Sequence, residues 1–236
     1  GFEWTTNFNI SAFKNEVLKL GPEGAPIISG NNITQIGSPM GMFYGYLTDG
    51  VFNTQAQLDA GPKWAPGTAD VSHLGDIRFK DISGPDGVPD NIINTFDRTI
   101  MGNPYPDFYY GMTNNFSYKN FTLSVALQGS VGNEILNSSD NMLYTRARYK
   151  QLSIVKDYWK SEAEPGNDPR PNNLPTGGLR QYSNRYITDA TFFKISNINL
   201  SYLFPEKITR SIYLSSLRVY VSATNPLLVT DFLYFN

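Results

Sequence analysis

Residues 108–131, FYYGMTNNFSYKNFTLSVALQGSV, decide the reading of this chain. One parity carries Phe108, Tyr110, Met112, Asn114, Phe116 and Tyr118; the other carries Tyr109, Gly111, Thr113, Asn115 and Ser117. Successive side chains of a strand point to opposite faces, so the segment has one apolar face and one polar face. Lys119 and Asn120 interrupt the pattern. It resumes with Phe121, Leu123, Val125, Leu127 and Val131 on one face and Thr122, Ser124, Gln128 and Ser130 on the other. Two such strands joined by a very short polar link predict a tight antiparallel hairpin.

Three further segments alternate in the same way. Phe2, Trp4, Phe8 and Ile10 interleave with Glu3, Thr5, Asn7, Asn9 and Ser11. Ile198, Leu200, Tyr202 and Phe204 interleave with Asn197, Asn199 and Ser201, and Leu217, Val219, Val221 and Ala223 with Arg218, Tyr220, Ser222 and Thr224. Each is near the ~9–11 residues that a tilted strand needs to cross a bilayer. Aromatic residues gather at the segment ends, as in the girdles at membrane interfaces. A soluble β-sandwich also alternates apolar and polar residues. The mostly uncharged polar parity and runs longer than the ~5–6 residues of an average globular strand favour a membrane barrel, with the sandwich kept open.

The connections differ in length. Ile10 to Phe108 and Val131 to Tyr186 are long, Phe116 to Phe121 is a tight turn, and Phe204 to Leu217 is moderate. Outer-membrane barrels alternate long external loops with short periplasmic turns, and a sandwich predicts no such alternation. Met40 to Phe52 reads as a short strand, and Asn141 to Trp159 has helix-like stretches. Five spanning strands cannot close, because an open edge in lipid leaves unpaired backbone groups. Both ends are therefore expected to be cuts through a larger barrel.

Composition removes several function classes. Lys+Arg 19 against Asp+Glu 21 gives a net charge of -2, which argues against nucleic acid as a partner. With no Cys, a disulfide framework, a thiolate zinc site and a Cys nucleophile are excluded. The single His, His73, leaves most His-dependent triads and multi-His metal sites without a partner.

The stretch from Gly75 to Ile135 resembles the SusC/RagA family of TonB-dependent outer-membrane transporters of Bacteroidota. Its carriers are Gly75-Asp76-Ile77-Arg78, Asp97-Arg98, Gly102-Asn103-Pro104-Tyr105-Pro106, and Gln128-Gly129 with Gly132-Asn133. Phe43 to Phe52 and the late strands YITDATFFKISNINLSYLFP and SSLRVYVSATNPLLVT match as well. The resemblance implies an all-β chain, a fragment of a large antiparallel transmembrane β-barrel of about 22 strands, taken from late in the barrel. It implies strands at about 1–13, 106–118, 121–131, 187–204 and 216–225, and long extracellular loops at about 21–105 and 132–185. The family's plug domain and TonB box have no counterpart in the chain. Implied partners are the remainder of the barrel and its plug, a SusD-like lipoprotein, the TonB complex, and lipopolysaccharide or outer-membrane lipid. The implied function is non-enzymatic import of oligosaccharides or oligopeptides. The rivals are a soluble extracellular glycan-binding β-sandwich with a calcium loop, and a non-transporting outer-membrane assembly or adhesion component.

Candidate chemistry is sparse. Asp81, Ser83, Asp86, Asp90 and Asp97 form a Ca²⁺-site candidate, together with Asp76 in the same Asp-rich stretch. Oxygen ligands near a Gly bend suit Ca²⁺, but Asp81-Ile82-Ser83-Gly84-Pro85-Asp86-Gly87 carries an extra Pro and no closing Glu, and an ordinary Asx/Gly turn accounts for it equally. Tyr44, Tyr46, Trp64 and Trp159 are candidates to stack on sugar rings or peptide side chains, or to pack the loop itself. Arg146, Arg148 and Lys150 read as a solvated helix face or a lipopolysaccharide contact, and His73 as an ordinary loop residue.

Overall fold

A computed structural model describes residues 1–65, 71–137, 157–171 and 181–232. In chain order its strands are β1 (Phe2–Ser11), β2 (Ile27–Ser29), β3 (Asn32–Thr34), β4 (Met42–Tyr46), β5 (Thr48–Val51), β6 (Lys63–Trp64), β7 (Ile77–Phe79), β8 (Ile92–Ile93), β9 (Arg98–Gly102), β10 (Phe108–Tyr118), β11 (Phe121–Val131), β12 (Glu134–Leu136), β13 (Ile187–Asp189), β14 (Phe192–Leu203) and β15 (Arg218–Thr230). Among the described residues the α-helices are α1 (Gln55–Ala60) and α2 (Glu206–Ser211). The chain divides into two units. The first comprises Gly1–Lys14, Tyr105–Glu134 and Asp189–Asn236, and the second Asn15–Pro104 and Ile135–Thr188.

The first unit is a five-stranded antiparallel sheet in the order β1-β10-β11-β14-β15. Each strand pairs with the next one of the sheet in sequence, so the long connections leave from one end and the short ones from the other. Register fixes the faces. Trp4, Phe116, Leu123, Leu200 and Val221 stand opposite one another across all five strands. One residue along, Thr5, Asn115, Ser124, Asn199 and Ser222 form the matching polar row. Tyr118 pairs with Phe121 across the tight turn, and Lys119 takes the left-handed φ of 53° there. The side chain of Asn120 donates to Leu203 O at 2.7 Å and holds the turn against β14.

Two bulges keep the faces in phase. Ser196 is an extra residue in β14, and its hydroxyl donates to Ala126 O at 3.1 Å. It moves Phe193 and Ile195 onto the face of Ile198 and Leu200, which strict alternation would forbid. In β15, Asn225 at φ 52° and Pro226 fall between the Thr224 and Leu227 pairings. β15 therefore runs on to Thr230 instead of stopping near 225. At the other boundary, Asp189 Oδ1 accepts the Thr191 amide at 2.7 Å and Ala190 donates to Asn133 O at 2.9 Å. That turn splits the expected 187–204 strand into β13 and β14.

The second unit is built of small sheets: β2-β3-β4-β9, β5-β7 and β6-β8. The expected strand at Met40–Phe52 is two, β4 and β5, parted at Leu47. α1 begins at Thr54, whose side chain accepts the Gln57 amide at 3.2 Å. Tyr46, Ile77, Phe79 and Ile93 are buried together, and Trp64 packs against them. Residues 141–156, including Arg146, Arg148 and Lys150, lie outside the described residues.

Candidate functional site

The sheet of the first unit leaves apolar side chains exposed, most of them on its edge strands β1 and β15. Phe2, Trp4, Phe8, Ile10, Leu200, Val219 and Val221 are all exposed. A contiguous apolar face of this size is a surface for lipid or protein rather than for water. Near the short-turn end, Phe2, Tyr118, Phe121 and Tyr202 form a row across four strands, with the Phe121 and Tyr202 ring centroids 4.6 Å apart. Within the apolar face sits one amide. Asn114 Oδ1 accepts the Trp4 indole N–H at 3.1 Å and the Thr6 hydroxyl at 2.7 Å. The Trp4 and Thr6 donors thus find an acceptor within the face, as an apolar medium requires.

On the opposite face a depression of about 450 Å³ is lined by Asn9, Gly111, Thr113, Gln128 and Ser196 among others. Gly111 makes room for the Asn9 side chain, which lies 3.0 Å from where a Cβ would be. Gly129 is more tightly constrained, since a Cβ would come within 2.5 Å of Phe192 O and of the Tyr110 ring. Gly132 adopts φ 88° beside Asp107, and its amide donates to Thr191 Oγ1 at 3.0 Å. The Ser130 hydroxyl donates to Asn133 Oδ1 at 2.8 Å. Gln128-Gly129 and Gly132-Asn133 are thus a wall strand and the corner that ends it.

In the second unit the candidate aromatics all make contacts within the protein. Tyr46, Trp64 and Phe79 meet edge to face, with centroids 5.2–5.7 Å apart. Tyr44 lies under the Arg98 guanidinium, 4.4 Å from its ring centroid. Trp159 donates its indole N–H to Asn53 O at 3.2 Å, and its ring covers Gly75, whose φ of 79° and missing Cβ allow the approach.

The Asp-rich stretch is largely spent on backbone amides. Asp97 is fully buried: Oδ1 accepts from Ile82 N at 2.9 Å and Ser83 N at 3.2 Å, and Oδ2 from Asn94 N at 2.8 Å. Asp90 Oδ1 accepts the Ile92 amide at 2.9 Å, and Asp81 Oδ2 accepts that of Asn91. Asp81 Oδ1 is shielded from water and has no hydrogen-bond donor. Loss of water, opposed by the Asn91 amide and reinforced by the Asp97 and Asp90 carboxylates, raises the Asp81 carboxyl above the ordinary aspartate range. Ser83 is half-buried and Asp86 is exposed. Among the described residues no three Asp, Glu or His side chains converge in a way that could hold a metal.

Asp76 ties distant segments together. It is fully buried, its Oδ1 accepts Arg170 Nε at 2.9 Å, and its Oδ2 accepts the His73 amide at 2.9 Å. His73 Nδ1 lies 3.3 Å from the same oxygen. Arg170 N also donates to Gly75 O at 2.8 Å, and the Arg185 guanidinium pairs with Asp168. Burial, opposed by the Arg170 hydrogen bond and charge, raises the Asp76 carboxyl above its ordinary range. Burial does the same for Asp168 against the Arg185 charge. Sequence spacing carries no signal for either pair.

The comparisons with known proteins add the family. The chain is 33% identical over 250 residues to a TonB-dependent receptor of Formosa agariphila, spanning 98% of this chain and 23% of that receptor. It is 24% identical over 241 residues to the TonB-dependent receptor SusC of Bacteroides thetaiotaomicron, spanning 98% of this chain and 22% of SusC. Over its whole length the chain is homologous to part of the TonB-dependent receptors of the SusC/RagA type. Its fold agrees with that assignment. The structure of the RagAB peptide transporter superposes with a TM-score of 0.76 at 18% identity, covering 98% of this chain and 24% of that one. The closed-closed state of the RagAB peptide importer gives 0.72 at the same identity and coverage. No protein-family model matches the chain. TonB-dependent receptors are integral outer-membrane β-barrel transporters, not enzymes. The chain spans less than a quarter of the length of these curated relatives.

Proposed function

We propose that this segment is one stretch of the wall, with its external loops, of an outer-membrane barrel of about 22 strands that imports oligosaccharides or oligopeptides with energy delivered through TonB. The observation that carries the reading is the sheet itself. It is antiparallel, apolar on one face and mostly uncharged polar on the other, and unpaired at β1 and β15. In lipid each unpaired backbone group costs several kcal/mol, so both edges demand neighbouring strands. The remainder of the barrel supplies them, and a plug fills the polar lumen. Connections at the long-loop end face outward, where a SusD-like lipoprotein covers them, and those at the short-turn end face the periplasm. The RagAB importer is described as a peptide transporter, which supports the peptide branch of the cargo class; similarity to SusC keeps the glycan branch.

Deleting the receptor gene and supplying defined oligosaccharides or oligopeptides as sole nutrient tests the proposal. Growth should fail on one of the two classes and recover on complementation, and affinity-tagged receptor should carry a lipoprotein with it. Unchanged uptake of both classes would overturn the importer reading and favour an assembly or adhesion role.

A further inference from the structure

The β14–β15 connection is built the wrong way round for water. Thr209 is the one buried residue of α2, whereas Ile208, Ile212 and Leu214 are exposed and Tyr213 is 98% exposed. Tyr213 also sits at φ 60°, a left-handed conformation that a bulky residue adopts at a cost. A short helix in a water-facing turn would bury its isoleucine and expose its threonine. This helix exposes Ile208, and the residues that follow it expose Ile212, Tyr213 and Leu214.

Two observations identify what covers them. The connection is continuous with the apolar face of the sheet: Tyr202 contacts Phe204 at a centroid distance of 5.0 Å, and Phe204 N donates to Leu217 O at 2.9 Å. The row of Phe2, Tyr118, Phe121 and Tyr202 marks the same end of the strands as an interfacial belt. The charges also fit. Pro205–Arg218 carries Lys207, Arg210 and Arg218 against Glu206 alone, a positive balance that complements lipid phosphates.

We infer that residues 205–217 lie in the headgroup layer of the leaflet at the short-turn end, with Ile208, Ile212, Tyr213 and Leu214 seated among lipid. The segment is then a membrane-surface anchor for the wall rather than a free turn. This rests on the barrel reading and adds a contact to it.

The test uses the complete receptor reconstituted in phosphatidylethanolamine–phosphatidylglycerol vesicles. The segment has no native Cys to remove. An environment-sensitive fluorophore is attached at Tyr213→Cys, Ile212→Cys or Val125→Cys. Lipids bearing a nitroxide high or low in the acyl chain serve as quenchers. Labels at 212 and 213 should lose emission mainly to the shallow nitroxide, and the label at 125 mainly to the deep one. Quenching at 125 with none at 212 and 213 overturns the anchor and leaves the barrel standing, with the connection in water or against the plug. No quenching at any of the three removes the barrel reading and the anchor together. Because Tyr213 is almost wholly exposed, its replacement removes little packing, and Ile212→Cys provides an independent reading.

Discussion

Arg170 donates its Nε to the buried carboxylate of Asp76 at 2.9 Å across 94 residues of sequence. The same carboxylate accepts the His73 amide, and Gly75 beside it is covered by Trp159. One acidic side chain thus fastens residues 157–171 to the turn that starts β7.

Asp76→Ala should free that fastening. It leaves a guanidinium and a backbone N–H without their acceptor, at a cost of roughly 1.5–3 kcal/mol. Hydrogen exchange at the Arg170 amide, which donates to Gly75 O, should accelerate accordingly. Unchanged protection would mean that Trp159 and the backbone contacts suffice.

A pH dependence follows from the same site. Burial raises the Asp76 carboxyl despite Arg170. The folded loop therefore binds this proton more readily than the unfolded chain does. The cost of the buried charge is absent below the ordinary aspartate pKa and grows as pH rises through the raised value. Protection of the Arg170 amide should fall with rising pH across that acidic window in the native receptor, and Asp76→Asn should flatten that part of the slope. Identical slopes in the two proteins would exclude Asp76 as the source.

Asn114 yields a prediction with an unusual sign. Asn114→Leu makes the apolar face more apolar, yet it strips the Trp4 indole and the Thr6 hydroxyl of their acceptor. The substitution should destabilise the barrel by roughly 1–3 kcal/mol, and Thr6→Val in the same protein should recover part of the loss. Unfolding from lipid vesicles measures both. A stabilising Asn114→Leu would show the amide to be dispensable.

Gly129 faces the Tyr110 ring across the hairpin, with Phe192 O close behind. Gly129→Val forces one of them to move, at roughly 1–3 kcal/mol. The temperature at which the folded band is lost in a heat-modifiability gel should drop, whereas Ala126→Val, at a residue that lines the open depression, should change it less. Equal drops would remove the special constraint at Gly129.

The hairpin was legible because its period of two is unbroken from Phe108 to Val131 apart from Lys119 and Asn120, and the register in β10 and β11 pairs like with like. The later strands were less so. Ser196 and Asn197 are consecutive polar residues, which hides that Phe193 and Ile195 continue the face of Ile198. Asn225-Pro226 reads as a strand end, because Pro removes a ladder donor, and only the bulge reveals that β15 continues. In the loops, Tyr46, Trp64 and Trp159 were visible as aromatics, but which of them pack inward depends on partners such as Phe79 and Gly75 that no periodicity links to them. Asp76 stood out in a motif, while Arg170 and Asp168 carry no local pattern at all.

The face assignment is the centre of the account, and two neighbouring residues test it. Val125 lies in the row that runs from Thr6 and Asn114 to Ile198, and Ser124 lies in the polar row with Asn115 and Asn199. Adjacent positions share depth and strand propensity, so the face is the main variable. Val125→Arg should bring a charge into hydrocarbon at ~2–4 kcal/mol near the bilayer midplane, and Ser124→Arg should keep its charge in the polar lumen. The measurement is the yield of folded complete receptor in lipid vesicles for the two variants side by side. The account predicts a clear loss for Val125→Arg and a smaller one for Ser124→Arg; a greater loss for Ser124→Arg across several bilayer thicknesses would turn the wall inside out and contradict it.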